Sequence, residues 1–252
     1  MALRTEANAR ERILMIGSWG TGKSEAWCSI AKWLDQTKAE GQLYVLDTDN
    51  AVDRLIEGQP WADRIIPFDL FEWDDYIKAI TEARSKGKRD DWLVVDMVDK
   101  AWEEVQNFYI QEAFGKDAAS FFLQWKTDNG KGSPLAGEYG ANWQVINKLY
   151  SSFIGKVARF PGHVLACAPV DQVNREQEKS KEILDTYGRF GVKPRGQKAL
   201  GHQFHTILLA LSKGKSGYAY TTIKDRKRTE LSNEDVVDFV TSYLVKVAGW
   251  KL

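Results

Sequence analysis

The residues Gly17, Ser18, Trp19, Gly20, Thr21, Gly22, Lys23 and Ser24 follow the pattern G-x-x-x-x-G-K-[ST]. Such a loop works by curling bare backbone N–H groups around a phosphate, so it has to leave a strand and enter a helix N-terminus. Gly17, Gly20 and Gly22 let the backbone approach closely and take positive φ. Lys23 supplies a point charge for the β- and γ-phosphates, and the Ser24 hydroxyl supplies a ligand for Mg2+. The context agrees. Arg12 to Ile16 is a short apolar run feeding the loop, and Trp27, Ile30, Ala31 and Leu34 follow at helical spacing. Strand, loop and helix in that order restrict the chain to an α/β architecture that binds a nucleoside triphosphate, read as ATP with Mg2+.

A second feature depends on the first. Asp91 to Asp96 is an apolar run ending in a carboxylate. Downstream of a phosphate loop, it reads as the buried strand that aims Asp96 at the metal's water shell. Between the two lie a strand at 42–46 ending in Asp47, Thr48 and Asp49, a short strand at 64–69 and a helix at 72–86. A helix at 99–114, an amphipathic helix at 142–160 and a strand at 163–168 follow Asp96. A helix or strand at 197–211, a hairpin turn at 212–217 and an alternating strand to Lys224 come next. A last helix at 233–248 opens with a capping box of Ser232 and Asp235. Two long segments carry little predicted structure: Gly115 to Gly140, with Gly130, Gly132, Pro134 and Gly137 in its second half, and Asn174 to Gly196, rich in Lys and Arg. They read as insertion loops in one domain spanning 12–252, with residues 1–11 as a tail or arm.

With 252 residues and 43% hydrophobic content, the chain is long enough for one sizeable core. No apolar run reaches membrane-spanning length and no signal-peptide pattern is present, so a cytoplasmic location is expected. Cys28 and Cys167 read as free thiols, and with His163, His202 and His205 they make no zinc spacing. The net charge of zero is unevenly spread. Residues 172–228 hold 13 Lys/Arg against 5 Asp/Glu, leaving 22 against 30 elsewhere. Either the C-terminal third faces an anion such as nucleic acid, or the acidic part neutralises it after folding.

In its order of motifs the chain resembles the RecA-type recombinase ATPase core: a mostly parallel central sheet flanked by helices, with a C-terminal β-hairpin. In that family the strand after the P-loop helix ends in Asp-Ala-Glu, and the glutamate activates the attacking water. Asp47, Thr48 and Asp49 stand in that place, so the resemblance gives Asp49 the role, with a carboxylate one methylene shorter. The alternative is that Asp47 and Asp49 cap the following helix. Asp171 and Gln172 resemble the Asn-Gln pair whose glutamine senses the γ-phosphate. Lys224, Asp225 and Arg226 resemble a Lys-Asn-Lys element that reaches the neighbouring subunit's nucleotide; the alternative is a surface basic run.

The resemblance covers roughly 12–230 and is nearest to minimal phage-encoded ATPases, some of them single-strand annealing proteins. It implies catalytic roles for Lys23, Asp49, Asp96, Gln172, Lys224 and Arg226, with Ser24 and Asp96 on the metal. It also implies single-stranded DNA as partner, a homo-oligomeric ring or filament, a single-strand-binding protein as accessory, and the host cytoplasm. Arg175, Lys179, Lys181, Arg189, Phe190, Lys193 and Arg195 are the expected DNA contacts, with Phe121, Phe122, Trp125 and Tyr187 as further stacking residues or as core. A hexameric helicase, a packaging or replication-initiation motor, a small-molecule kinase and a nucleotide-gated scaffold are the other readings.

Overall fold

The computed structural model describes residues 10–128, 131, 134–135, 140–226 and 238–250. β1 (Arg12–Ile16) leads through the phosphate loop into α1 (Lys23–Thr37). β2 (Leu43–Asp47), α2 (Val52–Ile56), β3 (Ile65–Asp69), α3 (Trp73–Lys86) and β4 (Trp92–Asp96) follow. Next are α4 (Val98–Phe114), α5 (Ala118–Thr127), α6 (Ala141–Ala158) and β5 (His163–Ala168). β6 (Val170–Gln172), α7 (Lys181–Tyr187) and β7 (Val192–Pro194) precede β8 (Thr206–Ser212) and β9 (Tyr218–Asp225).

Seven strands form one sheet in the order β3-β2-β4-β5-β1-β8-β9. All neighbours are parallel except β8 and β9, which form the expected antiparallel hairpin. The apolar runs explain the layering. A strand without alternation is covered on both faces, and β1, β2 and β5 are buried at every residue. One face packs against α3, α4 and α6 through Tyr76, Val105, Ile146 and Phe153. The other packs against α1 and the chain's last described turns through Trp27, Ile30, Phe239 and Tyr243.

Arg12 locks the amino edge of the sheet. Its guanidinium donates to the carbonyls of Glu11, Ala158, Phe160 and Gly162, each at 2.7 Å, tying β1 to the α6–β5 connection. Beside it His163 lies between Trp92 and Trp250, ring centroids 4.8 and 4.7 Å away. Its Nδ1 accepts from the Glu11 amide, and burial, then nearby Arg12, pushes its pKa down to about 3.

The two segments read as loops need correction. Residues 115–140 contain α5, started by Asp117, whose carboxylate accepts from the Ser120 amide. Residues 174–196 contain α7, capped by Ser180, and β7, which pairs antiparallel with β6 as a small separate sheet. Short caps specify both helices, where glycine and lysine content pointed to irregular chain. Segment 197–211 resolves into a 3-10 turn at Leu200–Gln203 and then β8. The capping box of Ser232 and Asp235 lies outside the described residues. Within the described part of the segment predicted as a last helix, Val240–Val245 forms a wide turn that buries Val240, Tyr243 and Leu244. No described helix is long and apolar enough to cross a membrane.

Candidate active site

Parallel strands end together, so the residues that follow β1, β2, β4 and β5 meet along one carboxyl edge. The phosphate loop follows β1, anchored by the Gly17 amide donating to the Ala168 carbonyl at 3.2 Å. A Cβ on Gly17 would lie 2.8 Å from the Ala210 carbonyl of β8, so only glycine fits there. Gly20 and Gly22 have φ of +69° and +89°. Gly22 caps α1 under the ring of Tyr218, which occupies the space a Cβ would need. The Thr21 hydroxyl donates to the Ser18 carbonyl, and Lys23 Nζ donates to Gly17 and Ser18 carbonyls at 2.9 and 2.8 Å. The lysine therefore spans the mouth of its own loop. Trp19, at the loop tip, is 94% exposed.

Asp96 ends β4 two strands from β1 and is aimed back at α1. Its Oδ2 accepts from Ser24 Oγ at 2.8 Å and from the indole Nε1 of Trp27 at 3.0 Å. Burial raises the carboxyl's pKa, opposed by the Trp27 and Ser24 hydrogen bonds and the Lys23 charge. Cys167 stands opposite Asp96 in the β4–β5 register, fully buried, and its thiol pKa is pushed up mainly by burial. Both cysteines are free; Cys28 is pushed up to about 12 by burial first. Ser24 and Asp96 offer hard oxygen donors side by side, the set that suits Mg2+. No cluster of three or more His, Cys, Asp or Glu able to hold a metal exists among the described residues.

The two aspartates after β2 divide the roles weighed for them. Asp47, buried, caps α2: Oδ1 accepts from the Asp49 amide at 3.1 Å and Oδ2 from the Val52 amide at 2.9 Å. Asp49 itself is exposed, and its charge raises the proton affinity of Asp96. Thr48 fixes the spacing between them: its amide and hydroxyl donate to the Asp96 carbonyl, and its Oγ1 accepts from the Met97 amide at 2.7 Å. Gln172 is exposed on β6, beyond the end of β5 and on the same edge. Its neighbour Asp171 accepts from Arg195 at 2.9 Å, which ties β6 to β7.

Lys224 and Arg226 fall elsewhere. β9 runs antiparallel, so Asp225 pairs with Thr206 at the start of β8. This places Lys224 at the opposite edge of the sheet, six residues or roughly 20 Å down β9 from Tyr218 at the phosphate loop. Lys224 Nζ donates to the Gly201 and Phe204 carbonyls, both at 3.0 Å, and burial, then Arg226, lowers its pKa. Arg226 is exposed. Neither can serve the nucleotide site of its own chain.

The basic insertion is partly self-engaged. Arg175 donates to the Gly188 carbonyl, Lys193 pairs with Glu178 at 3.3 Å and Arg189 lies 4.6 Å from the Phe190 ring centroid. Phe190 packs on the core, whereas Lys179 and Lys181 are exposed. A cavity of about 410 Å3 lies beneath α7, lined by Tyr187, Lys198, His202 and Lys224 among others, away from the phosphate loop. Phe121 packs against Phe114 at 4.6 Å, while Phe122 is exposed. Sequence reasoning missed Trp27 and Thr48 as site residues. Trp27 had one legible signal, its position four residues after Lys23, which puts both on one helix face.

A family model described as an AAA domain matches residues 9–237. No curated protein matches the chain.

Proposed function

The chain belongs to the AAA domain family, with a P-loop ATPase-type core, and from that premise we propose that it binds and hydrolyses ATP on single-stranded DNA, in recombination, annealing or replication, at a site shared between subunits of a homo-oligomer. The observation that carries the catalytic half is the Ser24–Asp96 hydrogen bond of 2.8 Å, which joins the phosphate loop to the strand-end carboxylate.

In this reading the amides of residues 17–24 cradle the β-phosphate, and Lys23 exchanges the Gly17 and Ser18 carbonyls for phosphate oxygens. Ser24 would hold Mg2+ with Asp96 in support, and the bound ion would supply neutralisation of phosphate charge. Asp49 accepts a proton from water as the water oxygen bonds to the γ-phosphorus and the bond to the ADP oxygen breaks. Gln172, exposed on the same edge, senses the γ-phosphate. Arg226 of an adjacent copy meets the transferring group, and Lys224 holds that strand end in place. Lys179, Lys181 and neighbouring cations of the insertion take DNA phosphates.

The test is steady-state ATP hydrolysis with and without single-stranded DNA, across protein concentration. DNA stimulation, a rate superlinear in protein, and silence of Lys23→Ala are expected. A DNA-independent rate linear in protein would contradict the shared site. It would favour a helicase or other DNA motor lacking its partner, or a small-molecule kinase.

A further inference from the structure

Trp27 is fully buried, and its position among Ile30, Phe239 and Tyr243 makes it part of the core. Its one polar atom nevertheless points at the site. Ser24 and Trp27 are three residues apart on α1, so one helix face presents both donors. Both reach the same oxygen, Asp96 Oδ2. The two donors are not equivalent. A serine hydroxyl has lone pairs that can bind a cation, whereas an indole N–H only donates. Trp27 can therefore hold the carboxylate without competing with it for the metal. Lys23 and Asp49 act on the same carboxylate with opposite sign, Lys23 lowering its pKa and Asp49 raising it.

We propose that Trp27 is a positioning residue for the metal–nucleotide site, its indole N–H fixing the Asp96 carboxylate so that it supports a divalent cation at Ser24. The inference rests on the nucleotide reading above. Groups that orient a metal's immediate surroundings typically account for 10- to 100-fold in metal affinity. Trp27 therefore governs the part of nucleotide affinity that depends on Mg2+ and leaves the phosphate loop's own grip alone.

The experiment measures binding of a fluorescent ADP analogue in excess Mg2+ and in EDTA. It compares wild type, Trp27→Phe, Asp96→Asn and the double variant. Trp27→Phe keeps an aromatic ring and loses the donor. The expected result is a Mg2+-dependent gain about 10-fold or more smaller in Trp27→Phe, unchanged affinity in EDTA, and no further loss when Trp27→Phe is added to Asp96→Asn. Equal losses with and without Mg2+, or additive losses in the double variant, would reduce Trp27 to packing and overturn the proposal. A wild type without any Mg2+-dependent gain would overturn the nucleotide reading as well, whereas a wild-type gain that Trp27→Phe leaves intact sinks Trp27 alone. If Trp27→Phe fails to fold, the indole N–H resonances of wild type and Asp96→Asn decide. One strongly downfield signal lost in Asp96→Asn supports the tether, and an unchanged set refutes it.

Discussion

Gly22→Ala places two separate strains on the phosphate loop. The φ of +89° lies in the left-handed region, where an L-residue costs about 1–2 kcal/mol. The new methyl also lands on the Tyr218 ring, which has to shift within a packed surround, at about 1–3 kcal/mol. Together the substitution should destabilise by about 2–5 kcal/mol, large beside the ordinary surface change of about 0.5 kcal/mol. The two parts separate in a cycle with Tyr218→Ala. Removing the ring removes the clash and leaves the backbone strain, so the double variant should recover about 1–3 kcal/mol relative to additivity. Urea unfolding of the four proteins, followed by far-UV circular dichroism, reads these differences. Strictly additive losses would refute the contact between Tyr218 and the loop. A Gly22→Ala cost under about 0.5 kcal/mol would refute the strained geometry itself.

Two further outcomes are expected. His163 has a folded pKa of about 3 against an ordinary 6.5, so between those values the unfolded chain binds the extra proton and stability falls as pH drops. From pH 7 to pH 5, wild type should lose about 2 kcal/mol more than His163→Gln in urea unfolding; parallel pH profiles would show that the ring titrates normally. The second concerns DNA. Lys179→Ala with Lys181→Ala should weaken single-stranded DNA binding and flatten its log–log salt slope by about 1.4, at about 0.7 per phosphate lost. An unchanged slope in fluorescence anisotropy titrations would take these lysines out of the interface.

The central part of this fold is legible because its signals are local. β1, the phosphate loop and α1 follow one another without interruption, and uninterrupted apolar runs mark β2, β4 and β5 to within a residue at either end. α5 was hidden because it buries none of its residues, so no periodic face distinguishes it from the glycine-rich chain beyond it. β6 and β7 are three residues each, too short for an alternation to register. Site roles that depend on distant partners were also out of reach. Trp27 and Asp96 are 69 residues apart, and periodicity alone makes the tryptophan a core residue. Lys224 reads as a strand-end cation until the Gly201 and Phe204 carbonyls are seen to engage it. Asp47 and Asp49, two residues apart, differ in burial, and that difference assigns the cap to one and exposure to the other.

The shared active site is the claim on which the proposed mechanism turns, and subunit mixing tests it most directly. Lys23→Ala keeps Arg226 and loses the phosphate grip; Arg226→Ala keeps the grip and loses the cation. Each alone should be silent in DNA-stimulated ATP hydrolysis. In an equimolar mixture, roughly one head-to-tail interface in four unites an intact loop with an intact arginine. The mixture should then recover about a quarter of wild-type turnover by that count. A mixture as silent as its components, or an Arg226→Ala protein that is fully active alone, would contradict the account.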